Sequence, residues 1–259
     1  MRVISLCPSN TEIMEFLGLT DLLVGVDDFS DWPKSIKAIP KLGPDLSIDL
    51  SLVEELKPDL VLASLSVPGM EKNIDGLKAR GIPHIILNPQ SLQDIENDLL
   101  ITANALNMPD RGKEAAQRFR NRLVNIKQKG AKTSSKPKLY WEWWPKPVFT
   151  PGRINWLTEL SEAAGAENIF KDVELASVQT DWDDVRSRKP DYICIAWVGV
   201  RRQKVKKELI TGRPGWNDMD AVKQDRILIL EEELYCRPSP RLLDGLEKLH
   251  HLIHDIIKQ

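Results

Sequence analysis

Aromatic and polar side chains collect in short segments that directly follow apolar, strand-like runs of this sequence. In the first half of the chain, Phe29 and Trp32 follow the apolar run that ends at Val26. Aromatic rings can bury the faces of a flat ligand, and nearby polar groups can orient it. The chemistry that these residue types predict is recognition of a small molecule.

The second half of the chain has three further segments of this kind. Each one places indole, phenyl or charged groups immediately after an apolar run. The segments are residues 143–149 (Trp-Trp-Pro-Lys-Pro-Val-Phe), 197–201 (Trp-Val-Gly-Val-Arg) and 231–237 (Glu-Glu-Glu-Leu-Tyr-Cys-Arg). Open α/β sheets bind ligands beyond the carboxyl ends of their strands, so we expect these segments to share one cleft.

Recognisable catalytic and metal-binding motifs are missing from the sequence. It contains no glycine-rich phosphate loop, no Gly-x-Ser-x-Gly and no His-Glu-x-x-His. Cys7 has no obvious histidine partner, and the 3 cysteines form no disulfide framework. His250 and His254 lie one helical turn apart, but nothing completes a metal set, so a solvated helix face is expected. We predict a protein that is not an enzyme and that holds neither a metal nor a cofactor.

Composition excludes several classes of partner. The net charge is −2, with 36 basic and 38 acidic residues, which disfavours nucleic acid. No apolar run is long enough to span a membrane. Because Arg2–Leu6 already forms the first strand, without a signal peptide before it, we predict a cytoplasmic monomer. If the start was trimmed, the alternative is a periplasmic or cell-surface protein.

Strands alternate with helices along both halves of the chain, which predicts parallel βαβ units. The predicted strands are 3–6, 22–26, 60–63, 84–87, 138–143, 192–196 and 227–230; the predicted helices are 50–56, 70–80, 92–106, 156–164, 182–188, 203–210 and 241–257. Ser9 and Glu12 fit a capping box at the start of a first helix. These elements must position the aromatic segments.

A weak internal repeat indicates two similar lobes. Lys57-Pro58-Asp59 and Lys189-Pro190-Asp191 are 132 residues apart, and each precedes an apolar strand. Between them, an apolar stripe at helical spacing predicts one long helix from about 110 to 129. We therefore predict an N-terminal α/β lobe (1–108), a bridging helix (109–130) and a C-terminal α/β lobe (131–259), with the ligand cleft between the lobes. The small and polar residues 130–137 are a predicted linker.

Several sequence pieces, taken in order, resemble the cobalamin-binding proteins of bacterial ABC importers, within the wider class that also binds iron-siderophores and haem. The pieces are 2–12 (Arg-Val-Ile-Ser-Leu-Cys-Pro-Ser-Asn-Thr-Glu), 24–26 (Val-Gly-Val), 30–33 (Ser-Asp-Trp-Pro), 56–61 (Leu-Lys-Pro-Asp-Leu-Val), 149–152 (Phe-Thr-Pro-Gly), 165–170 (Gly-Ala-Glu-Asn-Ile-Phe) and 237–241 (Arg-Pro-Ser-Pro-Arg). The resemblance implies two Rossmann-like lobes with mainly parallel sheets, bridged by one long α-helix.

The resemblance also implies ligand contacts. An aromatic contact of the family matches Phe29, a second matches Phe149, and a late loop matches Glu233, Leu234, Tyr235, Cys236 and Arg237. Glu233 and Arg237 would orient the ligand or pair with each other. Tryptophans that pack on the ligand in the best-matching relative are replaced here by Asp45, Ser64 and Ser177. Candidates to compensate are Trp143, Trp144, Trp182 and Trp197, beside Trp32.

The family docks on its membrane permease through one acidic residue in each lobe, which arginines grip. The matching positions are Ser51 and Asp183, so one of the two acids is missing. Glu54 or Glu55 could substitute for it from the same helix. A permease of an ABC transporter is therefore a possible partner in addition to the small-molecule ligand.

Three functional readings remain open at this point. The first is a substrate-binding protein for a corrinoid such as cobalamin. The second is a ferric siderophore or haem binder, for which Arg153, Arg201 and Arg237 are the candidate basic groups. The third is a cytoplasmic corrinoid-handling protein or an enzyme built on the same fold.

Overall fold

The first part of the chain alternates strands and helices. The computed structural model describes residues 1–133 and 135–254. Its first elements are β1 (Val3–Ser5), α1 (Pro8–Phe16), β2 (Leu23–Val26), α2 (Leu50–Glu55), β3 (Leu60–Ser64), α3 (Glu71–Ala79), β4 (His84–Leu87) and α4 (Leu92–Ala105). The strands form a parallel sheet in the order β2-β1-β3-β4. Buried Ile4, Val61 and Leu77 belong to the core that covers it.

One helix follows, α5, which runs without interruption from Pro109 to Gly130. Proline suits the first helical position because its missing N–H would have no partner there. The predicted apolar stripe is largely confirmed, since Ala115, Phe119 and Ile126 are buried. Gly130 ends the helix at a close approach, where a Cβ would lie 2.5 Å from the Ala163 carbonyl oxygen.

The last part of the chain builds a second parallel sheet and a smaller antiparallel one. Its elements are β5 (Lys138–Glu142), β6 (Trp144–Pro145), β7 (Val148–Pro151), α6 (Trp156–Ala163), β8 (Glu167–Asn168), β9 (Ser177–Thr180), α7 (Trp182–Ser187), β10 (Tyr192–Ile195), α8 (Glu208–Thr211), α9 (Asp220–Lys223), β11 (Ile227–Ile229), α10 (Glu232–Tyr235) and α11 (Leu242–His254). The parallel order is β11-β10-β5-β8, and β6-β7-β9 is antiparallel. Buried Tyr140, Phe170, Ile193 and Trp216 form the core.

The described residues divide into two compact units. The first unit comprises 1–89, 93–120 and 238–240, and the second comprises 90–92, 121–237 and the residues from 241 onward. Helix α5 contributes residues to both. Each unit has its own parallel sheet, so the predicted α/β class with mainly parallel sheets is confirmed.

The Lys-Pro-Asp repeat has the same structure in both units. Lys57 and Lys189 adopt left-handed backbone conformations, with φ of 48° and 52°, and each ends a short helix. The carboxylate of Asp59 accepts the N–H of Arg2 at 2.6 Å, and that of Asp191 accepts the N–H of Lys138 at 2.7 Å. The repeat therefore joins the helix to the central strands in both places.

The helices before these turns also begin alike. The side chain of Asp49 accepts the N–H groups of Ser51 and Leu52 at the start of α2. The side chain of Asp181 does the same for the first residues of α7, at 2.9 and 2.8 Å. Each aspartate satisfies N–H groups that have no partner within the helix.

Two predicted local structures are wrong. The capping box at Ser9 does not form, because Pro8 starts α1 earlier and Cys7 is the N-cap residue, without a side-chain cap. Ser9 is instead buried inside the helix, and the Glu12 carboxylate accepts the hydroxyl of Ser239. The single helix predicted over 203–210 is a 3-10 turn, Arg202–Lys204, followed by α8, because buried Val205 takes an extended backbone between them.

Some predicted boundaries reach beyond the described residues. Helix α11 is described from Leu242 to His254, and the last positions of the predicted helix 241–257 lie outside that range. In the predicted linker 130–137, Gly130 belongs to α5 and position 134 is outside the described residues.

The two aspartate caps predict matched losses of stability. We expect Asp49→Ala and Asp181→Ala each to lower the free energy of unfolding by about 1 kcal/mol, because helix N–H groups lose their acceptor. Urea unfolding followed by circular dichroism measures the change. Glu55→Ala, an exposed position at the end of α2, is the control and should change it by less than about 0.5 kcal/mol. Equal effects of cap and control variants would contradict the assigned role.

Candidate ligand-binding site

In the first unit, the loop after β2 is built on a buried carboxylate. Asp27 is fully buried and accepts the backbone N–H of Phe29 at 2.8 Å and of Ser30 at 3.1 Å. The Ser30 hydroxyl bonds to the same carboxylate and to Thr11, 2.7 Å away. Lys41 donates to the carbonyl oxygens of Asp27 and Ser30. These hydrogen bonds therefore fix the main chain that carries Phe29.

The two aromatic residues of this loop remain accessible. Phe29 is 53% exposed and Trp32 is 39% exposed. Large apolar side chains with this exposure are available to contact another molecule. The structure thus places both predicted residues on the surface of the first unit, beyond the carboxyl end of β2.

In the second unit, two tryptophans lie just beyond adjacent strand ends. Trp143 follows β5 and Trp197 follows β10, and these strands pair in parallel. The N–H of Val198 donates to the carbonyl oxygen of Trp143 at 3.1 Å, which joins the two loops. Both indoles are half-buried. The Nε1–H of Trp143 is buried and has no acceptor within the described residues.

A buried charge lies beneath these tryptophans. Glu142, the last residue of β5, is fully buried and forms a bidentate ion pair with Arg213, with both contacts at 2.7 Å. The indole N–H of Trp197 donates to the same carboxylate at 3.0 Å. Neither charged residue was among the sequence candidates. The available signal was a glutamate inside the otherwise apolar run 139–143.

The hairpin of β6 and β7 carries two more candidates. Trp144 and Phe149 are direct cross-strand neighbours, so their side chains share one face of the antiparallel sheet. Trp144 is 45% exposed, and its N–H donates to the carbonyl oxygen of Lys146 at 3.1 Å. Beside this hairpin is a cavity of about 410 Å³, lined in part by Pro145, Lys146, Trp182, Asp183 and Pro214.

The segment 231–237 folds differently from the predicted loop. Helix α10 turns Tyr235 into the core, where its ring packs 5.4 Å from that of Trp141 and its hydroxyl bonds to Gly245. This placement corrects the prediction of a ligand contact for Tyr235, since the side chain has no exposed surface. Glu233 and Leu234 are half-buried. Arg237 forms an ion pair with Glu232 at 3.4 Å, where the sequence suggested Glu233.

Cys236 connects this segment to the loop that carries Trp197. Its thiol donates to the carbonyl oxygen of Ala196 at 3.1 Å. Burial raises the pKa of Cys7 to about 12 and raises the pKa values of Cys194 and Cys236 as well. A thiol is nucleophilic only when ionised, so these three are poorly suited to covalent catalysis at neutral pH.

The residues predicted to dock on a permease are exposed. The Asp183 side chain is 82% exposed and lies 3.1 Å from Arg186. The Glu54 side chain is 63% exposed and lies 3.7 Å from Arg80, and Glu55 and Ser51 are exposed on the same helix, α2. Each unit therefore presents at least one accessible carboxylate on the short helix that follows its aspartate cap.

Among the described residues, no group of His, Cys, Asp and Glu side chains has a metal-binding arrangement. His250 and His254 both contact the Ala164 carbonyl oxygen and are half-buried, which differs from the predicted solvated face. Among the described helices, none is both long enough and apolar enough to span a membrane.

Comparisons with known proteins agree on one family. A family model described as periplasmic binding protein matches residues 3–234. The uncharacterized ABC transporter substrate-binding lipoprotein YvrC of Bacillus subtilis (strain 168) is 32% identical over 259 residues, 98% of this chain and 80% of the relative. A vitamin B12-binding protein of Vibrio parahaemolyticus is 29% identical over 246 residues, 95% and 86% of the two chains. The crystal structure of the periplasmic vitamin B12-binding protein BtuF of Vibrio cholerae aligns with a TM-score of 0.80 and 26% identity, over 100% of this chain and 98% of that one.

These findings confirm the resemblance inferred from the sequence and the general function of a substrate-binding protein. The prediction of a cytoplasmic protein is wrong, because the relatives include a lipoprotein and a periplasmic protein. That prediction relied on the first residues of the sequence, which carry no information about compartment. The reading as a cytoplasmic corrinoid-handling factor is dropped with it. The relatives are named as binding proteins, and the absence of catalysis in this chain stays a prediction.

The buried carboxylate under the Phe29 loop predicts a pH dependence. Burial raises the pKa of Asp27 from 3.8 to about 6. Because the folded-state pKa is the higher one, the stabilising contribution of this group is fully present below about pH 4 and is lost as pH rises through 6. The free energy of unfolding then falls by roughly 2–3 kcal/mol, because the folded and unfolded pKa values differ by about 2 and each unit of pKa corresponds to 1.36 kcal/mol.

We expect Asp27→Asn to remove this part of the pH dependence. The difference in free energy of unfolding between the wild type and this variant should therefore change between pH 4 and 7, as urea unfolding would measure. Asp28→Asn, an exposed neighbour, is the matched control and should keep the wild-type slope, since Asp27 is still present. A parallel curve for Asp27→Asn would contradict the assignment.

Proposed function

We propose that this chain, which belongs to the periplasmic binding protein family, binds a corrinoid such as cobalamin through the aromatic loops described above. Relatives that carry the name vitamin B12-binding protein align with nearly its whole length. A corrin ring is broad and largely apolar on its faces, and amide-bearing arms surround it. Such a ligand requires aromatic surfaces together with a few hydrogen-bond donors.

The observation that carries the proposal is the pair Trp143 and Trp197. Their half-buried indoles lie at neighbouring ends of parallel strands, where sheets of this kind bind ligands. The buried N–H of Trp143 has no acceptor within the described residues. Buried donors without partners are rare in folded proteins because each costs about 1–3 kcal/mol. Once the Trp143 side chain turns toward the ligand, a carbonyl oxygen on an amide arm would supply the acceptor.

Apolar burial would supply much of the affinity. If each indole lost roughly 50 Å² of accessible area to the ligand, the gain would be about 1 kcal/mol per ring, at about 25 cal/mol per Å². Phe29 and Trp32 of the first unit and Trp144 and Phe149 of the second have further accessible ring surface.

A ferric siderophore or haem is the competing ligand class, and it would use basic groups. The structure reduces the supply of those groups. Arg153 is paired with Glu174 at 2.9 Å, and Arg237 is paired with Glu232. Arg153, whose side chain is 64% exposed, and Arg201 are exposed, and Arg237 is half-buried. No observation in the site favours an anionic ligand over a corrinoid, so the corrinoid is the conclusion.

Titration with cyanocobalamin tests the proposal directly. We expect saturable quenching of tryptophan fluorescence at micromolar ligand or below, and weaker or no binding of haemin and of a ferric hydroxamate siderophore. Absence of a saturable change with cyanocobalamin at micromolar concentrations would contradict the corrinoid assignment. Tight binding of one of the other two ligands would replace it with that ligand class.

A pair of matched variants identifies the donor. Trp143→Phe should weaken cyanocobalamin binding about 10-fold, because the ring is kept but the hydrogen-bond donor is lost. Trp144→Phe is the control and should bind within about 2-fold of wild type, since its N–H is already bonded to Lys146. Calorimetric titration measures both dissociation constants. Equal affinities would show that the Trp143 N–H does not reach the ligand.

The second part of the proposal is docking on the permease of an ABC transporter. Its supports are the family, the exposed carboxylate of Asp183 on α7, and the exposed Glu54 and Glu55 on α2. The cavity beside Asp183 also has apolar walls from Pro145 and Trp182, which could receive a side chain of the partner. Exposed surface carboxylates suit recognition by arginines.

Docking predicts opposite effects of two substitutions. Asp183→Asn should reduce the ligand-dependent ATPase activity of a reconstituted cobalamin importer about 10-fold, because a charged contact is lost. Ser51→Glu should increase it by restoring an acid at the matching position of the first unit. Glu162→Gln, an exposed acid on α6, is the control. No response to either substitution, with cobalamin binding intact, would contradict docking through these helices.

A further inference from the structure

The strongest feature that the proposed contacts leave unused is the buried ion pair of Glu142 and Arg213. Their side chains are 0% and 2% exposed. Burying two charges is costly, and well-packed apolar residues of the same volume often stabilise a protein as well or better. Stability therefore does not by itself explain the pair. The direction of its hydrogen bonds points to an orienting role.

Each of the two oxygens of the Glu142 carboxylate accepts two hydrogen bonds. One accepts the hydroxyl of Tyr140 at 2.6 Å and an Arg213 nitrogen at 2.7 Å. The other accepts the second Arg213 nitrogen at 2.7 Å and the indole N–H of Trp197 at 3.0 Å. Three of these four donors come from fully buried side chains. The fourth donor, Trp197, belongs to the loop that follows the carboxyl end of β10.

The ion pair itself has little freedom to move. The Arg213 guanidinium carbon lies 4.8 Å from the ring centroid of Trp182 and 4.4 Å from that of Trp216. Cation–π contacts at both rings hold its plane in place. Arg213 therefore fixes the carboxylate, and the carboxylate fixes one edge of the Trp197 indole.

The main chain around Trp197 is held in the same region. The N–H of Ala196 donates to the carbonyl oxygen of Glu142 at 3.0 Å, and the N–H of Val198 donates to that of Trp143 at 3.1 Å. With the backbone fixed on both sides, the bond from Nε1 to Glu142 selects the rotamer of Trp197. A ligand that meets an ordered side chain loses less conformational entropy on binding.

We infer that Glu142 is a positioning residue of the ligand site, which holds the Trp197 indole in a single orientation beside Trp143. Arg213 acts through Glu142 by fixing its carboxylate. This inference rests on the proposed function in that the oriented ring is the one offered to the ligand. The orientation itself exists in the free protein and can be measured without any ligand.

The test uses two variants that differ only in the acceptor. Single removal of Glu142 would leave a buried guanidinium unpaired and could prevent folding. Both variants therefore carry Arg213→Met and Tyr140→Phe. One adds Glu142→Gln, which keeps an oxygen acceptor for the Trp197 N–H. The other adds Glu142→Met, whose side chain has the same length but whose thioether sulfur is a weak hydrogen-bond acceptor. Circular dichroism verifies that both fold.

Fluorine NMR of protein labelled with 5-fluorotryptophan reports the ring, and Trp197→Phe assigns its resonance. We expect the Trp197 resonance to be sharp in the Gln variant and, relative to it, shifted and broadened in the Met variant. The cyanocobalamin dissociation constant should be about 5-fold higher for the Met variant than for the Gln variant, because the ring must then be ordered on binding.

Identical Trp197 resonances in the Gln and Met variants would overturn the inference, whatever the ligand. Trp197→Phe with wild-type affinity for cyanocobalamin would overturn it too, since the positioned ring would then not serve the site. Failure of the wild type to bind cyanocobalamin contradicts the proposed function alone, and the NMR comparison still decides whether Glu142 orients Trp197.

Discussion

The turn from helix to central strand, present once in each unit, aligns the two central strands of each parallel sheet. Lys57 bends the chain in a left-handed conformation, Pro58 prevents further helix, and Asp59 both donates to and accepts from Arg2. The same exchange joins Asp191 and Lys138 in the second unit. Register determines which side chains face the core, because a slip of one residue reverses every face of a strand. The alignment of the strands also determines where the loops that follow them begin.

The candidate site is a consequence of that alignment. Ile195 of β10 lies opposite Glu142 of β5, so the residues that follow, Trp197 and Trp143, emerge side by side. The carboxylate at the end of β5 can then reach the indole that follows β10. The positions of Trp143 and Trp197 at the carboxyl ends of β5 and β10 thus depend on hydrogen bonds at the opposite end of the same strands, near Lys138 and Asp191.

The sequence allowed seven strands of the two parallel sheets, the long helix and the repeat to be predicted, because apolar runs and turn residues act locally. It did not predict β8 or the antiparallel strands β6, β7 and β9. It also identified Phe29, Trp143 and Trp197 as residues of strand-end loops. The errors came from tertiary context. Tyr235 follows a strand as a ligand contact would, but α10 and the ring of Trp141 bring it into the core. The pair of Glu142 and Arg213 spans 71 positions, so no local pattern could connect them.

The burial of Cys7 and Cys194, together with the hydrogen bond of the half-buried Cys236, has a consequence for the environment in which this fold can survive. Thiol–disulfide exchange and oxidation by peroxides both require an accessible thiolate. Here Cys7 and Cys194 are enclosed in the core, and the thiol of Cys236 is engaged with a backbone carbonyl. The unpaired cysteines are therefore protected without a reducing solution around them. A chain built in this way can tolerate oxidising conditions without a disulfide of its own.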